Sequence, residues 1–147
     1  MDNQKPDEID LLKIGYGLRI GLQGTMAWQI WGKNGGFNLE ETADFYRVVT
    51  LLECPYSEIE SILNEYAEKV GAENRFPIWK VVAAGLAFQS DQWASLALTW
   101  FPHLGKNEQA MLFDLLKEVA HSKWASQKSR QLANRYAIQM YAADNED

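Results

Sequence analysis

Cysteine is almost missing from this chain: Cys54 is the only one among 147 residues, which excludes an intrachain disulfide. With only two histidines, His103 and His121, it also excludes a thiolate–imidazole zinc cluster. Long apolar runs are missing too. The longest, Val81 to Phe88 with Gly85 counted as apolar, falls far short of the ~18–20 residues that cross a bilayer. Gly32-Lys33-Asn34-Gly35-Gly36 is the nearest approach to a phosphate-binding loop, but it lacks the glycine spacing such loops need and reads as a plain connection. No cofactor motif is present, so no cofactor is expected. Positive charge is scarce as well: 14 Lys+Arg face 20 Asp+Glu, a formal net charge of −6. That balance disfavours nucleic acid and anionic membranes as partners. The polar, mostly acidic start, Met1 to Glu8, lacks the basic and apolar regions of a secretory signal and suggests a cytoplasmic protein.

Aromatics, in contrast, are abundant. Six Trp, six Tyr and six Phe stand in a chain that is 47% hydrophobic, and a chain of this size forms one core. A single domain over 1–147 is expected, with residues 1–6 and 143–147 frayed. So small a core has limited room for eighteen aromatic rings, so some should reach the surface, where aromatics anchor protein interfaces.

Helix punctuation is frequent from Asn38 onward. Asn38 with Glu41, and Ser57 with Glu60, have capping-box spacing. The first helix they predict carries Phe45, Val48, Val49 and Leu52 on one side and ends at Cys54-Pro55. The second carries Ile59, Ile62, Leu63, Tyr66 and Val70 and ends at Gly71. Pro77 suits the first turn of a helix over Ile78 to Phe88, which is apolar on nearly every side and predicts the buried centre. Ser90 and Asp91 cap a helix over Gln92 to Phe101 that Pro102 breaks; further helices are predicted over Asn107 to His121 and Ala125 to Tyr141.

The first third carries two conflicting signals. Leu12, Ile14, Tyr16, Leu18, Ile20 and Leu22 alternate with Lys13, Gly15, Gly17, Arg19, Gly21 and Gln23, the period of a strand. Gly17, Gly21 and Gly24 also share one face of a helix with Ala27 and Trp28, and Pro6-Asp7-Glu8 resembles a helix start. An isolated hairpin has little stability of its own, and no other strand is evident. The expected fold is therefore all-α, a single-domain irregular helical bundle or short helical array, with a β-hairpin near residues 12–31 as the alternative. On the helical reading, Trp28 with Trp31 and Trp93 with Trp100 each share a side.

From about residue 77 to 141 the succession of short amphipathic helices, with Trp93-Ala94-Ser95-Leu96-Ala97-Leu98-Thr99-Trp100-Phe101-Pro102 before the longer Asn107 to His121 segment, resembles the helical hairpins of HEAT and armadillo proteins. That resemblance implies a binding scaffold. In size and charge the chain is also similar to small acidic immunity proteins, which neutralise toxins by binding them.

Charge distribution points to a surface. Between Asn38 and Glu73 nine acids face only Arg47 and Lys69, whereas between Lys117 and Arg135 five bases face only Glu118. The leading expectation is a non-enzymatic binding module whose acidic helices, through Glu40, Glu41, Asp44, Glu58, Glu60, Glu65 and Glu68, meet a basic protein partner such as a toxin. The alternative is a small helical enzyme or metal protein. Asp114, Glu118 and His121 lie one turn apart in sequence, Glu118 and His121 at the Glu-x-x-His spacing of di-metal bundles, though the motif occurs only once. His103 could act as a general base if the fold supplied a partner. A third reading is a structural homodimer joined through the glycine face.

Overall fold

The computed structural model describes residues 11–24 and 27–144. It overturns the all-α expectation, and with it the bundle or HEAT-like array. The fold is α+β: an antiparallel sheet in the order β1-β2-β3-β4 precedes the helices. The strands are β1 (Leu12–Gly15), β2 (Leu18–Gln23), β3 (Ala27–Gly32) and β4 (Gly35–Asn38). The period of two is the decisive signal, and glycine serves the turns. Tyr16 and Gly17 both have positive φ, 55° and 73°, in the two-residue connection between β1 and β2, where the twist of a tight hairpin demands left-handed backbone. The glycine face of the expected helix therefore does not exist, and a homodimer through it loses its surface. A second hairpin and β4 supply the strands whose apparent absence argues, in sequence, against a sheet. The expected helix start at Pro6-Asp7-Glu8 and the frayed ends at 1–6 and 145–147 lie outside the described residues. Residues 143 and 144 continue the last helix.

Alternation then sorts the sheet's faces. Ile20, Trp28 and Ile30 are buried, with Ile20 opposite Ile30 and Leu22 opposite Trp28. Trp28 and Trp31 stand three positions apart, which is one side of a helix but opposite faces of a strand. Trp31 lies against Gly36, where an added Cβ would stand 2.6 Å from its ring.

The chain then enters a 3-10 helix (Thr42–Glu53), kinked at Val48. It is followed by α1 (Tyr56–Val70), α2 (Ile78–Ala87) and α3 (Asp91–Trp100). After a 3-10 turn (Phe101–His103) come α4 (Lys106–Met111), α5 (Phe113–Ala120) and α6 (Gln127–Asp144). The predicted helix Asn107 to His121 is split at Leu112, whose ψ of 2° breaks the helical run while its side chain is fully buried. Asp91 of α3 accepts the Ser126 N–H at 2.8 Å, and the Ser126 hydroxyl accepts the Ser129 N–H, so α6 is capped from a neighbouring helix. The Ser126 N–H first, and then the Ser129 and Ser126 hydroxyls, hold the Asp91 carboxyl below its usual range.

The expected buried centre is present. Val81 to Leu86 of α2 are all buried, packed between the 3-10 helix and α3. Gly85 permits the approach: a Cβ there would sit 2.6 Å from Leu52 Cδ1 and 2.9 Å from Ala97 Cβ. Among the described residues no helix is long and apolar enough to cross a membrane. Gly85→Ala should cost about 1–3 kcal/mol in overpacking, against about 1 kcal/mol gained in helix propensity. The expected result is a lower urea midpoint with an unchanged slope; a higher midpoint would contradict this packing.

Candidate functional site

Gly71 organises the acidic surface. It ends α1 in the left-handed conformation, φ 69°, and the following Ala72 N–H bonds back to the Ala67 carbonyl at 2.9 Å. The chain reverses there and lays Glu73, Asn74 and Arg75 beside the last turns of α1. A groove of about 610 Å³ results, lined by Glu60, Glu65, Glu68 and Glu73 together with Ser57, Ser61, Asn64 and Arg75. Its far wall is tied to the sheet, because the Trp28 indole N–H donates to the Asn74 carbonyl at 3.2 Å. The Trp28 ring also meets Phe76 edge-on at 5.4 Å.

Only three of the seven expected acidic residues, Glu60, Glu65 and Glu68, meet in this groove. Glu58 lies elsewhere on α1, lining an apolar cavity of about 170 Å³ shared with Leu12, Lys13 and Ile14 of β1. Asp44 serves the backbone, since its carboxylate accepts the Glu40 and Glu41 N–H groups at 3.0 and 2.8 Å. These bonds, led by Glu41's, hold it below the usual carboxylate range. Glu40 and Glu41 stand exposed where β4 leads into the 3-10 helix, and the Glu40 carbonyl accepts Lys80 Nζ at 2.6 Å. The charge pattern counts Glu73 among the acids without assigning it to the site, and it passes over Asn64 and Arg75. The signal for Glu73 and Arg75 is Gly71, which in sequence marks a helix stop and in the fold is a reversal.

At the other end of α1, Tyr56 stacks on His103 at 4.9 Å and meets Trp100 edge-on at 5.4 Å. Its hydroxyl donates to Glu60 Oε2 at 3.1 Å, and the Trp100 indole donates to the Cys54 carbonyl at 3.0 Å. His103 thus gains an aromatic neighbour whose polar group points to Glu60. Asp114 and Glu118 lie exposed on α5, but His121 falls after its end, and its Nδ1 donates to the Lys117 carbonyl at 2.8 Å. Among the described residues no three His, Cys, Asp or Glu side chains come together as a metal site.

Compared with protein-family models, with curated proteins and with solved structures, the chain shows no significant match.

Burial, followed by the Glu60 charge, pushes the Tyr56 hydroxyl up from 10.0 to about 12. Folding therefore favours the protonated phenol. Its contribution to stability is complete below about pH 10, where an unfolded tyrosine ionises, and is lost as pH rises toward about 12. The stability difference between wild type and Tyr56→Phe should shrink over that interval, measured by urea unfolding at stepped pH. A difference that is constant or grows would show the hydroxyl to be unprotected.

Proposed function

We propose that this protein is a non-enzymatic binding module that holds a basic segment of a partner protein in the groove along α1, as an inhibitor or immunity protein would. The observation that carries the reading is the convergence of Glu60, Glu65, Glu68 and Glu73 on one concave surface. Among the described residues no hydrogen bond or ion pair engages the carboxylates of Glu65, Glu68 or Glu73. Carboxylates gathered without partners repel one another, and a cationic segment relieves that repulsion while the field speeds its approach. Ser57, Ser61 and Asn64 add neutral hydrogen-bonding groups that can orient a guanidinium or ammonium between the acids. The groove wall is braced through Trp28 and Phe76, so little ordering is needed on binding. A single, exposed cysteine suits the reducing cytoplasm as the place of action.

The test is capture of partners from the native host on the immobilised chain, with elution by stepped salt. A basic protein should be retained, should elute as salt rises, and should bind at least about tenfold more weakly to the Glu65→Lys/Glu68→Lys variant. Glu58→Lys, outside the groove, should bind as wild type does. A partner held equally by the reversed groove, or unaffected by salt, would refute this reading.

A further inference from the structure

A cleft of about 250 Å³ opens where the 3-10 turn, α4 and α6 meet. Its floor is aromatic: Phe101, itself buried, stacks on Tyr136 at 4.9 Å with the rings tilted by 25°, and Pro102 and Met140 stand beside them. The walls are tied to one another. Gln109 Nε2 of α4 donates to the Phe101 carbonyl at 3.1 Å, and the Phe101–Tyr136 stack joins the turn to α6. The fold itself therefore shapes the cleft, and filling it requires little rearrangement.

The polar groups around this floor are of one kind. Lys106 is the only charged residue that lines the cleft, in a chain whose net charge is −6. The nearest acid in sequence, Glu108, turns back to accept the Gly105 N–H at 3.2 Å and takes no part in the lining. Among the described residues no hydrogen bond or ion pair engages the Lys106 ammonium, the Tyr136 hydroxyl or the Gln139 amide. Each of the three can donate a hydrogen bond, and only the ammonium brings charge. An aromatic floor with unpartnered donors beside one cation is complementary to a ring system that carries an anionic oxygen group.

We propose that this cleft binds a small aromatic carboxylate, its rings lying against Phe101, Tyr136 and Met140 and its carboxylate meeting Lys106. Size selects within that class. An apolar cavity of about 150 Å³ accepts benzene, so 250 Å³ holds about two fused rings with their carboxylate and no stretch of peptide beyond them. The rings suit Met140, whose polarisable thioether favours aromatic contacts. Charge selects a monoanion: one ammonium flanked by neutral donors matches a single negative charge and would leave a phosphate dianion half neutralised. The cleft shares no residue with the acidic groove, for which a cationic segment is proposed, so each site stands without the other.

Calorimetric titration of the whole chain with indoleacetate and with its uncharged amide, indoleacetamide, tests the proposal. The carboxylate should bind with a Kd of about 1 mM or tighter, and the amide about three- to tenfold more weakly. Lys106→Met, which keeps most of the stem and removes the charge, should bring the carboxylate down to the level of the amide and leave the amide unchanged. Ala110→Trp should abolish binding of both, because Ala110 is an exposed residue of the lining, where a large ring fills the cleft without disturbing the core. A carboxylate Kd weaker than about 1 mM, equal binding of acid and amide, or an affinity that survives either substitution would overturn the proposal. So would a peptide ending in tryptophan that binds more tightly than indoleacetate, since the occupant would then be a protein terminus.

Discussion

The molecule is organised around one helix that has almost no solvent side. α2 is buried from Val81 to Leu86, so its neighbours must close over it, and each must present an apolar stripe of matching shape. The 3-10 helix does so through Phe45, Val48, Val49 and Leu52, α3 through Ala94, Ala97 and Leu98, and α5 through Leu116 and Val119. Small residues decide how near they come: Ala83, Ala84, Gly85 and Ala97 let backbones approach where a larger side chain would hold them apart. Interiors packed at this density transmit displacement rather than absorb it. The position of the outer elements thus follows from the centre.

The acidic groove inherits its shape through this packing. Trp28 belongs to the sheet, Phe76 to the segment entering α2, and Phe45 to the 3-10 helix, and their rings meet in series at 5.4 and 5.8 Å. Because the same Trp28 holds the Asn74 carbonyl, the stretch carrying Glu73 and Arg75 cannot swing away from α1 without breaking a bond to the sheet. A surface made of charged side chains, which repel one another, is kept concave by aromatic contacts beneath it. Hydrophobic burial supplies the free energy that holds the acidic surface in this shape.

Helices were legible where local chemistry decided them. Pro77, Ser90 and Gly71 stand where the sequence places helix boundaries, and the all-round apolarity of Ile78 to Phe88 identifies the buried centre. The sheet is hard to read because glycine carries two meanings that sequence spacing does not separate, close packing in a helix and positive φ in a turn. Tyr16, at φ 55°, hides one of those turns behind an aromatic that fits the strand alternation. Of the acidic residues, the sequence shows their abundance but not their grouping, since Asp44 caps a helix while Glu58 faces β1. The expected surplus of aromatics is real: Phe37, Tyr46 and Phe88 stay outside the core. Which ones stay out depends on the tertiary arrangement.

The strand order has a consequence for how the chain comes into being. Every strand pairs with its neighbour in sequence, so the ladder can close as soon as Asn38 is free of the ribosome, with little loop entropy to overcome. Its inward face, however, needs the Tyr66 and Phe76 rings that pack on Trp28, which are made later. Between those moments Ile20, Trp28 and Ile30 stand open to solvent on a ribbon whose β4, among the described residues, has a strand partner on one side only. The interval on the ribosome before those rings arrive leaves the sheet open to mispairing with another nascent copy.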